Sequence, residues 1–187
     1  IIVDHLKGKL YMQEGGLEKK TLFISYCHKD IQKRWIHKLV KELGNNGIEC
    51  IVDIYDLQLG QDVNYFMEQM KRADKVLILS GKVYKEKADN REGGVGTETQ
   101  IISNDVYNNV KQTKFIPAFV DKDENGNGYL PHYLESRKYI DFSNNKLFTD
   151  TVEEIVNHIY GFSSIKKPKV KKTYKRQSRY RRIIKKK

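Results

Sequence analysis

From Thr21 onward, apolar and polar positions switch between a strand-like and a helix-like period. Residues 21–26 are a short apolar run and predict a first strand. Ile31, Trp35, Leu39, Val40 and Leu43 then recur at helical spacing. Asp30 marks the expected start of that helix, and Gly44 or Gly47 its end. Residues 48–53 predict a second strand, followed by a loop with Tyr55, Asp56, Leu57 and Gly60. Asp62 is placed to cap a helix that carries Val63, Phe66, Met67 and Met70 on one face. Residues 75–79 predict a third strand. The stretch from Gly81 to Glu98 reads as a glycine-rich loop, and residues 98–110 as a helix. Residues 115–120 predict a fourth strand, in which Pro117 suggests irregularity or an edge. Residues 138–142 predict a fifth. Leu147, Phe148, Val152, Ile155, Val156 and Ile159 mark a last helix.

Strands that alternate with helices imply a parallel sheet covered on both faces. The expected fold is therefore α/β: a flavodoxin-like five-stranded parallel sheet in the order 2-1-3-4-5, with helices on both sides. That order puts its switch point between strands one and three. The loops bearing Tyr26, Cys27 and His28 and running from Gly81 to Glu98 are then expected to meet at one crevice. Glycines let a ligand approach the backbone closely, and Gly93, Gly94 and Gly96 deliver a single acid, Glu98.

With 187 residues the chain can build one medium domain with its own core. The net charge of +11 changes meaning once it is located. Residues 166–187 hold nine Lys and four Arg and no acid; removing those thirteen charges leaves −2 for the rest. The basic character belongs to the tail. We divide the chain into an extension or linker (1–20), a domain (21–162) and a basic tail or linker (163–187). The tail interleaves Tyr174 and Tyr180 with its charges, a composition suited to nucleic acid, an acidic partner or anionic lipid, or to a solvated linker. No apolar run reaches the roughly 18 residues that span a membrane. Two cysteines make no disulfide framework, which fits a reducing cytoplasm. Cys50 is expected in the core and Cys27 at the surface. The five histidines show no metal-ligand spacing. Asp121, Asp123, Asn125 and Gly126 begin like a calcium loop, but position twelve is His132, so a solvated turn is expected. No Gly-Lys-Ser/Thr sequence follows the glycines, which excludes a P-loop.

The segments Phe23 to Tyr26, Asp30, Trp35, Val52 to Leu57, Gly60 and Gly93 to Glu98 resemble a TIR domain, in its bacterial TIR/SEFIR-like branch. The resemblance spans roughly residues 21–160. It implies either of two functions. One is an NAD+ hydrolase that releases nicotinamide and leaves ADP-ribose or a cyclic isomer, acting in bacterial antiviral defence once self-assembled. The other is a non-enzymatic signalling scaffold that works by homotypic assembly. A fused or separate sensor module is the implied partner. NAD+ would be a substrate, with no further cofactor.

The resemblance assigns Glu98 as the catalytic acid and Tyr55 to Asp62 as the loop that gates the pocket and mediates assembly. Many TIR domains carry Trp-Cys shortly before that acid; this chain has glycines there, closer to the SEFIR-like pattern. Breaking the nicotinamide bond builds positive charge on the ribose, which one carboxylate can stabilise. Tyr26 and Tyr55 are candidates to line the bases, Ser25 and Asp53 to bind ribose or phosphate, and Arg91 to bind pyrophosphate. Each has a plainer reading. Without the resemblance, Glu98 reads first as an acid favouring a helix N-terminus. Tyr26 and Tyr55 read equally as packing groups, Asp53 as a strand-end cap and Arg91 as a solvated charge.

Overall fold

The structure is a computed structural model. It describes residues 18–92 and 111–162, with Ile102, Val106, Asn108 and Asn109 between them. Five parallel strands form one sheet in the order β2-β1-β3-β4-β5. They are β1 (Lys20–Tyr26), β2 (Ile48–Ile51), β3 (Lys75–Ser80), β4 (Phe115–Phe119) and β5 (Ile140–Asp141). The helices are α1 (Lys33–Asn45), α2 (Asp53–Asp56), α3 (Val63–Arg72), α4 (Lys82–Asn90) and α5 (Phe148–Ile159). Ile102, Val106 and Asn108 are also helical.

Alternation along β1 sends successive side chains to opposite faces. Leu22, Ile24 and Tyr26 join Ile36, Leu39 and Leu43 of α1 and Phe148, Val152 and Ile155 of α5. Phe23 and Cys27 join Phe66, Met67 and Met70 of α3, Tyr84 and Ala88 of α4, and Ile102 and Val106. Both faces of β1 and β3 are covered, which is why these strands read as unbroken apolar runs. Trp35 packs edge-on against Phe142 and Phe148, bridging α1 to α5.

Several local expectations change. Residues 82–90 form α4 and not a loop; only Tyr84 and Ala88 are buried on it, too narrow a stripe to read from sequence. Tyr55 and Asp56 belong to the single turn α2, so the connecting loop shortens to residues 57–62. Helix α1 begins at Lys33 and has no side-chain cap, so Asp30 does not start it. Cys27 is buried at 5 % exposure, because the alternation of β1 continues one residue past its end. Cys50 is half-buried, and burial pushes its thiol up to about 12.

Pro117 sits in a strand paired on both sides, yet its position is edge-like. The nitrogen of Val120 bonds the Ser80 carbonyl of β3, whereas the nitrogen of Phe142 bonds the Phe119 carbonyl, so even and odd residues of β4 face opposite neighbours. Pro117 thus turns towards β5, which pairs only with Ala118 and Phe119. Its missing donor costs the sheet nothing there. Residues 121–128 form the expected turn: Asp123 accepts the main-chain N–H groups of Asn125 (2.9 Å) and Asn127 (2.8 Å).

Asp74, in the turn before β3, clasps the start of β1. Its Oδ2 accepts the Thr21 N–H at 2.8 Å and the Thr21 hydroxyl at 2.9 Å, and its own N–H donates to that hydroxyl at 3.0 Å. These bonds, the main-chain one first, hold the Asp74 carboxyl below its ordinary range. A carboxyl depressed on folding stabilises the fold above its unfolded pKa, and the benefit fades as pH falls through the folded value. Asp74→Asn is therefore expected to flatten the acid limb of stability below about pH 4. Urea unfolding across that limb measures it; equal slopes in both proteins would remove the linkage. The effect is modest, because this carboxylate is largely exposed.

Candidate functional site

The C-terminal ends of β1 and β3 flank the point where the strand order reverses, the usual ligand edge of an open α/β sheet. Tyr26 ends β1 and is buried, at 8 % exposure. Its hydroxyl lies 3.4 Å from Nδ1 of His28, and the two rings meet edge-on at 4.9 Å. Nε2 of His28 is 2.7 Å from Oδ2 of Asp53, the first residue of α2. The other carboxylate oxygen, Oδ1, accepts the Ile54 N–H at 2.8 Å. Burial first, and then the negative charge of Asp53, keep the Tyr26 hydroxyl well above its ordinary pKa. It stays a neutral donor.

A second imidazole contact lies two residues further on, at Tyr55. His37 of α1 hydrogen-bonds the Tyr55 hydroxyl through Nδ1, with ring centroids 5.7 Å apart. Tyr55 remains 46 % exposed. Asp56 accepts the Val52 N–H at 2.7 Å and closes α2 on itself. Histidines thus fasten both ends of this short helix, one to β1 and one to α1. The spacing of the histidines was informative only about metals; their pairing with Asp53 and Tyr55 depends on residues 18 and 25 positions away.

The other sequence candidates divide. Tyr26, Asp53 and Tyr55 come together around His28 and α2. Ser25 points to the opposite face; it is 2 % exposed and its hydroxyl lies 2.9 Å from that of Tyr84. Arg91 caps the C-terminus of α4 in the left-handed region (φ 58°) and is exposed. Glu98 and the glycines before it lie outside the described residues. Asp30 is the group that sequence reading misplaced. Its two carboxylate oxygens accept the N–H groups of Val83 (2.9 Å) and Tyr84 (2.7 Å), capping α4 across 53 and 54 residues of chain. Gly81 makes room for it: a Cβ there would fall 2.6 Å from Cγ of Asp30.

Among the described residues, no three or more His, Cys, Asp or Glu side chains are placed to hold a metal ion. No described helix is long and apolar enough to cross a membrane.

The pattern of the TIR domain matches residues 22–156. A crystal structure of a prokaryotic SEFIR domain is similar at 40% identity, over 75% of this chain and 98% of that one, with a TM-score of 0.61. The TIR domain of the Toll-related receptor TRR-2 from Hydra magnipapillata shares the fold at 16% identity, over 74% of this chain and 96% of that one, with a TM-score of 0.55. No curated protein matches the chain. A matched pattern running from β1 into α5, and a relative of this identity covered almost end to end, place the chain in the TIR-domain family, on its prokaryotic SEFIR-like branch.

Proposed function

We propose that this domain is an NAD+ nucleosidase, releasing nicotinamide to give ADP-ribose or a cyclic isomer, and that it acts as a self-assembling effector of bacterial antiviral defence in the cytoplasm. The supporting observation is the chain Tyr26–His28–Asp53 at the sheet edge beside the β1/β3 switch point. In the proposed reaction the ribose C1′–N bond breaks and its electron pair leaves with nicotinamide. The ribose takes on oxocarbenium character, and Glu98 stabilises it; water then bonds to C1′ and releases a proton to solvent, giving ADP-ribose, or a nucleophilic atom of the same molecule bonds there instead, giving a cyclic isomer. Tyr26 donates to a ribose or phosphate oxygen. Asp53, oriented by His28, accepts from a ribose hydroxyl, and Tyr55 offers a half-exposed ring to a base. Arg91 approaches pyrophosphate in this scheme. A ligand role for Ser25 requires its bond to Tyr84 to break.

The test is concentrated protein with NAD+, analysed by mass for nicotinamide and every ADP-ribose isomer, beside Glu98→Ala. Nicotinamide release that depends on Glu98 is expected. Assembled protein that releases none overturns the enzymatic reading.

A second reading, a non-enzymatic scaffold, has its own support in the loop between α2 and α3. Leu59 is fully exposed, and Tyr55, Val63 and Tyr65, flanking it in the sequence, are 46 %, 52 % and 61 % exposed. Gly60 turns the loop tip in the left-handed region (φ 82°), which holds Leu59 out. A run of exposed apolar side chains marks an interaction surface. Leu59→Asp is expected to abolish concentration-dependent assembly in sedimentation while leaving the melting temperature unchanged, since Leu59 packs on nothing. Assembly that survives the change moves the contact elsewhere.

A further inference from the structure

A broad groove of about 1010 Å³ runs along the flank formed by β4, β5 and α5, away from the Tyr26–His28–Asp53 cluster. Beside it β5 is only two residues long, so Phe115, Ile116 and Pro117, though buried, have no strand partner on that side. Apolar surface is open here: Tyr139 is 49 % and Phe162 42 % exposed. Its positive groups are already engaged. Arg137 donates to the carbonyls of Gln112 and Val106, and Lys138 pairs with Glu154 at 3.3 Å. Asp150 and Glu153 of α5 line the same groove with no ion-pair partner among the described residues. The charge left over is negative.

The groove also holds an unmet donor. Oε1 of Gln112 accepts the N–H groups of Lys114 (2.7 Å) and Phe115 (3.0 Å), and this fixes the amide's orientation. Its Nε2 is buried and has no acceptor among the described residues. An acceptor from a docked segment reaches it only if the groove wall yields, because the atom itself has no open surface.

We propose that this groove is the docking site for the chain's own basic segment, residues 163–187. The described chain ends inside the groove, at Gly161 and Phe162, so the segment starts there. Its thirteen positive charges and lack of acids complement Asp150 and Glu153. Ile165, Val170 and Tyr174 alternate with its lysines and match the apolar floor. Twenty-five residues reach far beyond the groove at about 3.3 Å each, so length does not limit docking. The tail is thereby an intramolecular partner, held by exposed charge pairs and released by salt.

The experiment uses the full chain at low concentration with an amine-reactive cross-linker, and mass spectrometry to count links from Lys138 to the tail lysines. Tethering alone gives a background of such links that neither salt nor a change on α5 alters. Docking predicts that the links fall at least about threefold in roughly 0.5 M salt, and equally in the double variant Asp150→Asn, Glu153→Gln. Far-ultraviolet circular dichroism checks that the variant folds; should it not, the salt series on the native chain decides alone. Links unchanged by salt and by the variant overturn the proposal. So do links that appear only between isotopically distinct copies, which would assign the groove to a second molecule's tail.

Discussion

Asp30→Ala is expected to lower the unfolding free energy by about 2–4 kcal/mol, the combined scale of a lost helix cap and of two charge-assisted bonds to half-buried donors. The first two N–H groups of α4 used in this way, at Val83 and Tyr84, have no partner within their own helix. Asp30 answers both, and its negative charge sits at the positive end of the helix. The carboxylate packs directly against the Gly81 main chain, so its removal leaves a gap as well as two unmet donors. Asp30→Asn keeps one acceptor oxygen and is expected to recover about half of the loss. Urea unfolding of the two variants measures it. A cost below about 1 kcal/mol for Asp30→Ala would show that the cap is dispensable. Because α4 leads directly into the segment that carries Glu98, loss of this cap is also expected to weaken any turnover that depends on that segment.

The second large effect concerns the proposed chemistry. Glu98→Gln is expected to cut nicotinamide release by at least about a hundredfold, the scale of removing one preorganised charge from a developing ion. The change keeps the shape of the side chain and removes only its charge. Magnitudes separate the two readings of this residue. An acid that merely favours a helix N-terminus contributes about 0.3–1 kcal/mol to stability and nothing to rate. A catalytic acid contributes about 3–4 kcal/mol to the barrier. A glutamine variant with altered stability and unaltered release would therefore return Glu98 to the helix and leave the scaffold reading in place.

The expected strand order 2-1-3-4-5 is the observed one, and the apolar runs of β1, β3 and β4 lie within a residue or so of their predicted positions. These strands are buried on both faces, and such burial leaves its mark directly in composition. The two flanking strands were overestimated: β2 stops at Ile51, and β5 keeps only Ile140 and Asp141 of a predicted five. A strand with one neighbour ends where that neighbour stops offering bonds, which no local pattern records. Tyr26 and Asp53 were legible as groups at strand ends, since each follows an apolar run. Their link through His28 was not, because it needs β1 and β2 side by side.

Local patterning alone determined the class of this protein, the order of its strands, the apolar faces of its first, third and last main helices and the segregation of its positive charge into one tail, because burial and charge are written residue by residue. Only the tertiary structure decided that Asp30 caps α4 and not α1, that Ser25 turns inward to Tyr84 while Tyr26 faces the site edge, and that β5 pairs with β4 over only two residues. Each of these is a pairing between segments far apart in the chain, and hydrogen-bond partners are chosen by distance in space, which spacing along a sequence does not contain.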